Sequence, residues 1–429
     1  MNRKHLFNKH SLLDVISFSG FLTAIKLSLT LISQKFIAIW LGASGMALVA
    51  NFRNILELTA VFSNAGTQNG VVAYYSKHQN QSQLKSFFST VASLLLSTSI
   101  FIIVVLLWNA KLLNYLIFDS LQDSHVFIKA IALVVPFIAI NSALEAVLTG
   151  LKLYKPVTKI QFLSTVISLL AMIPLIYFYQ INGAFAALFL RPISMFFLIL
   201  YFFRNNKLSQ MIAFELNLKR EYFIELLPFI FMSFLSVGLL ALTNLGIRIT
   251  IAEMIDLDQA GFWSAINSVS SNYFLFINVA FTLYVFPKFA ENNNLFNLNF
   301  EARRILNTLL PIVSIGLLLV YLLRDFLIQL LFTDSFEVIS PLFKWQLIAD
   351  WFRVIFLVFA YFIVAKKRVK DYFIIELLSF LVFFTTSLLL IDDFGIEGVV
   401  IANFIRYVVC LFVIMLLLRK PLTIHKLQR

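Results

Sequence analysis

Cysteine is nearly absent from this 429-residue chain. Cys410 stands alone, so no intramolecular disulfide and no thiolate metal cluster can form. Histidine is scarce as well. His5, His10, His78, His125 and His425 lie outside or at the edges of the apolar segments, which argues against a buried histidine relay or a histidine metal site. Charge is the third shortage: 13% of residues are charged against 60% hydrophobic, with a mean hydropathy of +0.89. That balance excludes a soluble domain and indicates an integral membrane protein. No nucleotide cradle, loop-borne acid/base pair or metal cluster is visible. The expectation is a protein that is not an enzyme and carries no cofactor and no metal.

Apolar runs of about 20 residues, broken by short polar loops, recur from end to end, so the chain is all-α and polytopic. Twelve spans are expected, near 13–40, 46–75, 86–108, 127–151, 157–179, 183–203, 222–251, 260–289, 305–323, 341–365, 371–391 and 397–418. The formal net charge of +12 suggests nucleic acid until the charges are placed. With the N-terminus in the cytoplasm, 23 of the 34 Lys and Arg fall on cytoplasmic ends and loops, and only Lys111 and Arg324 fall outside. The positive-inside rule then puts both termini in the cytoplasm, and nucleic acid is no partner. The first apolar segment is too long for a cleavable signal peptide and lacks a small-residue cleavage site. Trp40, Trp108, Trp263, Trp345 and Trp351 all fall near outer ends of spans, as a one-sided aromatic belt would.

Two stretches repeat. "INGAFAALFLR" (181–191) and "IEGVVIANFIR" (396–406) match at an offset of 215, setting Arg191 opposite Arg406. At an offset of 216, Gly45 and Asn51 meet Gly261 and Asn267. The same shift superposes the spans pairwise. Six spans per repeat is an even number, so the halves are parallel repeats: two six-helix lobes, 1–208 and 209–429, joined through the long cytoplasmic connector 204–220. Such lobes would face each other across a central path.

Polar residues form stripes at helical spacing. Ser19, Thr23, Lys26, Thr30 and Ser33 share a face of the first span; Ser264, Asn267, Ser271, Asn278 and Thr282 share one of the eighth. Asn54, Glu57, Val61 and Asn64 do so in the second, with Arg53 alongside and Asn51 a turn earlier. The expected lining of a wet cavity is therefore Asn51, Asn54, Asn64, Asn267, Ser271 and Asn278. Nine basic residues (Lys26, Lys35, Arg53, Lys129, Arg191, Arg248, Lys344, Arg353, Arg406) but four acidic ones (Glu57, Glu145, Asp350, Glu376) lie inside spans, so the interior suits an anion. Lys26, Arg53, Arg248 and Arg353 are the candidate anion-binding cations. Glu57, Glu145 and Asp350 are candidates for coupling or gating, although Arg53–Glu57 and Asp350–Arg353 equally suit structural neutralisation.

The stretch "LGASGMALVANFRNILELTAVFSNAGTQNGVVAYYSKHQN" (41–80) resembles the Wzx-type translocases of the multidrug/oligosaccharidyl-lipid/polysaccharide exporter superfamily. "FWSAINSVSSNYFLFINVAFTLYVFPKFAE" (262–291) and "LFKWQLIADWFRVIFLVFAYFIVAKKRVKDYFIIE" (342–376) extend the likeness. The resemblance implies alternating-access flipping of undecaprenyl-pyrophosphate-linked oligosaccharide, for O-antigen or a related surface polysaccharide, across a bacterial inner membrane. It implies membrane lipids, and a polysaccharide polymerase and chain-length regulator, as partners. Two alternatives stay open: a cation-coupled drug or metabolite antiporter of the same superfamily, and a membrane O-antigen polymerase or ligase. The net positive interior argues against the first. Outer loops (109–126, 324–340) of only about 17 residues argue against the second.

Overall fold

The computed structural model describes residues 12–419 apart from 79, 119–124, 207, 209–214, 282–284, 286–288, 290–297 and 367. Among the described residues every regular element is helical, as lipid requires of a chain that must satisfy its own backbone groups. In order they are α1 (Leu12–Ser63), α2 (Gln68–Lys77), α3 (Gln81–Trp108), α4 (Ala110–Phe118), α5 (His125–Gly150), α6 (Tyr154–Asn205), α7 (Arg220–Met254), α8 (Leu257–Ala280), α9 (Leu298–Leu322), α10 (Arg324–Leu331), a 3₁₀ turn (Asp334–Ile339), α11 (Leu342–Ala365) and α12 (Val369–Arg419). Among the described residues, eight helices are long and apolar enough to cross a membrane. The chain is a multi-pass membrane protein. It divides into two compact units, Met1–Ala241 and Leu242–Arg429, and the division falls within α7.

Three of the long helices change direction at one residue: α1 at Gly42, α6 at Gln180 and α12 at Gly395. The last two stand 215 positions apart and adopt nearly the same backbone, φ 51°, ψ −130° and φ 55°, ψ −138°. Three residues beyond each bend, Gly183 and Gly398 press against the carbonyls of Leu175 and Leu390, again 215 apart, where no Cβ would fit. The repeat in the sequence is thus a repeat in backbone geometry, down to the close approach that demands glycine. Gln180 occupies a conformation that costs a side-chain-bearing residue about 1–3 kcal/mol, and its side chain is exposed. Gln180→Gly should therefore raise the thermal unfolding midpoint of the purified protein. Gly395→Ala should lower it, through backbone strain alone, since a Cβ there would meet only Ile255 at 3.9 Å. An unchanged midpoint in both variants would refute the strain.

In the first unit, α3 and α5 pack around Phe87, Phe88, Leu144 and Val147, with Tyr74 stacked on Phe87 at 3.8 Å. The end of the connector is pinned to α3: Ser89 Oγ donates to Glu215 O (2.6 Å), and Thr90 Oγ1 accepts from Lys219 N (3.1 Å). α1 ends in a tight turn in which Asn64 Oδ1 accepts from Gly66 N at 2.7 Å. Gly66 has φ 61°, and a Cβ on it would lie 2.9 Å from Ile230 O, so the turn needs glycine twice over. In the second unit, Phe274, Phe281, Phe356, Phe362 and Tyr407 form the core between α8, α9, α11 and α12. Trp263 departs from the expected aromatic belt. It is 2% exposed and lies under the Arg248 guanidinium, where a buried cation replaces interfacial water.

Candidate functional site

The first unit holds a cluster of charges on four helical arms. Lys26 and Arg53 lie on the two arms of α1, Glu145 on α5 and Arg191 on the second arm of α6. Lys26 lies in the fields of Arg191 and Glu145, and Arg53 in those of Glu57 and Arg191. Lys26 and Arg53 are half-buried, whereas Glu57 and Arg191 are exposed. Gln161 Nε2 donates to Glu145 Oε1, which orients that carboxylate. Three cations thus stand with two carboxylates, one of them already engaged by an amide. Such a group can receive an anion, and its arginines can offer paired donors to phosphate oxygens.

The expected polar lining is placed unevenly. Asn51 and Asn54 are buried. Asn64 is buried too and committed to the turn, its Nδ2 donating to Ser142 Oγ at 3.0 Å. Ser33 is buried, with its hydroxyl turned back to the Thr30 carbonyl. In α8, Ser271 is exposed while Asn267 and Asn278 are half-buried. Ser19 and Thr23 belong to the side chains not described, and Thr282 lies outside the described residues.

The second unit presents two different arrangements. Arg248 is 5% exposed, donates from Nε to Ser264 Oγ at 2.7 Å, and covers Trp263. Asp350, fully buried on α11, gathers donors on one oxygen. Ser270 Oγ (2.7 Å), the Tyr273 hydroxyl and Gln346 Nε2 (3.2 Å) all donate to Oδ2. Its other oxygen, Oδ1, faces Arg353 Nη1 at 3.9 Å without a hydrogen bond. The Arg353 guanidinium carbon lies over the Phe274 ring, 3.9 Å from its centroid, and the side chain remains 29% exposed. The i, i+3 spacing pointed to Asp350 and Arg353. Ser270, Tyr273 and Gln346, the neutral groups that fix the carboxylate, gave no charge signal. Among the described residues no group of His, Cys, Asp and Glu could hold a metal.

Comparison with known proteins gives three findings. A family profile described as "Polysaccharide biosynthesis protein" matches residues 41–341. Among curated proteins, the Lipid III flippase of Escherichia coli (strain K12) is 26% identical over 388 residues, covering 90% of this chain and 93% of the flippase. Among solved structures, Lipid II flippase MurJ in an inward closed conformation superposes with a TM-score of 0.74 at 16% identity, over 94% of this chain and 87% of its own. An inward-facing multidrug resistance transporter of the MATE family gives a TM-score of 0.73 at 14% identity, over 92% and 94%. These two structures share the fold.

Proposed function

The chain belongs to the polysaccharide biosynthesis protein family, and from that premise we propose that it flips a lipid-linked oligosaccharide by alternating access. The substrate is a polyprenyl pyrophosphate carrying sugars, delivered from the cytoplasmic to the outer leaflet of a bacterial inner membrane. The observation that carries the reading is the Lys26–Arg53–Arg191 cluster, set on membrane helices with fewer carboxylates than cations. A pyrophosphate bears at least two negative charges and cannot cross about 30 Å of hydrocarbon uncompensated. The resemblance to the E. coli Lipid III flippase supports the lipid-linked substrate. The antiporter reading is disfavoured by the same cluster, whose excess of cations over carboxylates would repel a cationic drug.

The decisive experiment uses proteoliposomes loaded with a fluorescent short-chain prenyl diphosphate sugar. Protein-dependent loss of signal to an impermeant quencher is expected for this substrate and not for a cationic dye. Transport of the dye alone would overturn the proposal in favour of an antiporter.

Counting each arm of α1, α6 and α12 as one crossing, with α3, α5, α7, α8, α9 and α11, supports twelve crossings. We place the lobe boundary in the 204–220 connector, giving 1–208 and 209–429. The Lys and Arg distribution supports cytoplasmic termini. In a Cys410→Ser background, Asp392→Cys should react with an impermeant thiol reagent on intact cells and Asn205→Cys should not. The reverse pattern would invert the orientation. Arg248 and Arg353 from the second unit, together with Ser271, Asn267 and Asn278, remain part of the proposed substrate path. A polysaccharide polymerase and chain-length regulator are the partners such a flippase would supply.

A further inference from the structure

Among the described residues, two buried acceptors one turn apart on α11 have no donor: Asp350 Oδ1 and Gln346 Oε1. They belong to side chains already joined once, Gln346 Nε2 to Asp350 Oδ2. Buried polar atoms are rarely left unpaired, so each of these oxygens calls for a donor. A carboxylate is acceptor-only, whereas a carboxylic acid has one O–H to donate. One proton on Oδ1 turns an unpaired acceptor into a donor, and Gln346 Oε1, on a side chain already joined to Asp350 through its Nε2, is an acceptor for it. What keeps the proton away is Arg353, whose Nη1 stands 3.9 Å from Oδ1.

Arg353 is held loosely. It makes no hydrogen bond with Asp350, rests on the face of Phe274, and is partly exposed. It can leave toward an anion; Asp350, enclosed by Ser270, Tyr273 and Gln346, cannot follow. The other charges on helices packed near it act elsewhere. Glu397 accepts from Trp345 Nε1 at 2.9 Å, and Arg406 donates to Ser379 at 2.6 Å with Glu376 in its field. Lys344 lies over Trp345. On α9, Glu301, Arg303 and Arg304 sit in the first two turns, and Tyr273 of α8 already donates to Oδ2. Among the described residues, Arg353 is the charged side chain that acts on Asp350.

We infer that Asp350 and Arg353 form a proton-linked anion switch: when a diphosphate headgroup draws Arg353 away, Asp350 takes one proton from water and pairs as an acid with Gln346. No bond other than O–H forms, and the proton returns to solvent when the anion leaves and Arg353 resettles. Binding and protonation are then reciprocal, each favouring the other. The inference rests on the flippase reading, because it needs an anionic headgroup.

The test titrates purified protein in lipid nanodiscs with farnesyl diphosphate near neutral pH, in two buffers of different ionisation enthalpy. The dependence of heat on buffer gives protons taken up per ligand. Wild type should exceed Asp350→Asn by about one proton per diphosphate. Equal uptake by the two, with both binding, overturns the switch and leaves the flippase reading standing. Absence of farnesyl diphosphate binding by wild type instead overturns the anion site, and the switch with it. Should Asp350→Asn fail to fold, infrared difference spectra of wild type decide. Diphosphate must raise a carboxylic-acid C=O band at the expense of carboxylate, and a spectrum without that band refutes the proposal.

Discussion

Lys26→Ala and Arg53→Ala should each leave protein levels near normal and cut flipping about 10- to 150-fold, the value of one charge-assisted contact of about 1.5–3 kcal/mol. The lipid-linked oligosaccharide should then accumulate on the cytoplasmic leaflet, read by its accessibility to an impermeant glycosidase or lectin on inverted vesicles. The two losses will not simply add, because both residues share the field of Arg191. Arg53→Lys separates charge from shape: retained activity means a point charge suffices, and loss means the forked guanidinium is required. Glu57 supplies the control for a purely structural role. It is exposed and four residues after Arg53 on the same arm, so Arg53 is not needed to neutralise a buried carboxylate. Full complementation by both alanine variants at native expression would remove the cluster from the transport path. Loss of membrane protein instead would return Arg53 to a bracing role with Glu57.

Charge and repetition were the legible parts of this molecule. A charge inside lipid is costly enough that Lys26, Arg53, Glu145, Asp350 and Arg353 announced themselves without coordinates. The repeat was legible because the turn at each bend constrains glycine, and Gly183 and Gly398 both press on a carbonyl. Neutral polar residues were not legible in this way. Ser264, Asn64 and Ser271 look alike in a stripe, yet one holds a buried arginine, one closes a turn, and one is exposed. Periodicity assigns a face, but what covers that face depends on helices far away in sequence. Ser270 and Tyr273 meet Asp350 across 80 and 77 residues, a distance no local pattern spans. Gln161, which orients Glu145, was missed for the same reason.

Repeat-related arginines should respond oppositely to truncation, and this is the second large effect expected. Arg406 is built into its unit. Its Nε donates to Ser379 Oγ at 2.6 Å, its guanidinium lies 5.3 Å from the Phe383 ring and 5.0 Å from the Tyr407 ring, and it provides the opposite charge for Glu376. Arg191, 215 positions earlier, has different surroundings, because the position of Glu376 is taken by Gln161, whose amide is spent on Glu145. Arg191 is exposed, and among the described residues its guanidinium takes part in no hydrogen bond; its electrostatic neighbours are Lys26, Arg53 and Glu145. Arg406→Ala should therefore cost about 2–3 kcal/mol, somewhat less than a fully buried pair because Arg406 is half-buried, and should appear as lost membrane protein and a lower unfolding midpoint. Arg191→Ala should move stability by less than about 0.5 kcal/mol, as surface changes do, and still reduce flipping about tenfold or more. Parallel measurement of protein level, unfolding midpoint and transport separates the two. If Arg191→Ala transports normally, or falls in stability as far as Arg406→Ala, the two repeats have not diverged in role and the cation cluster reduces to Lys26 and Arg53.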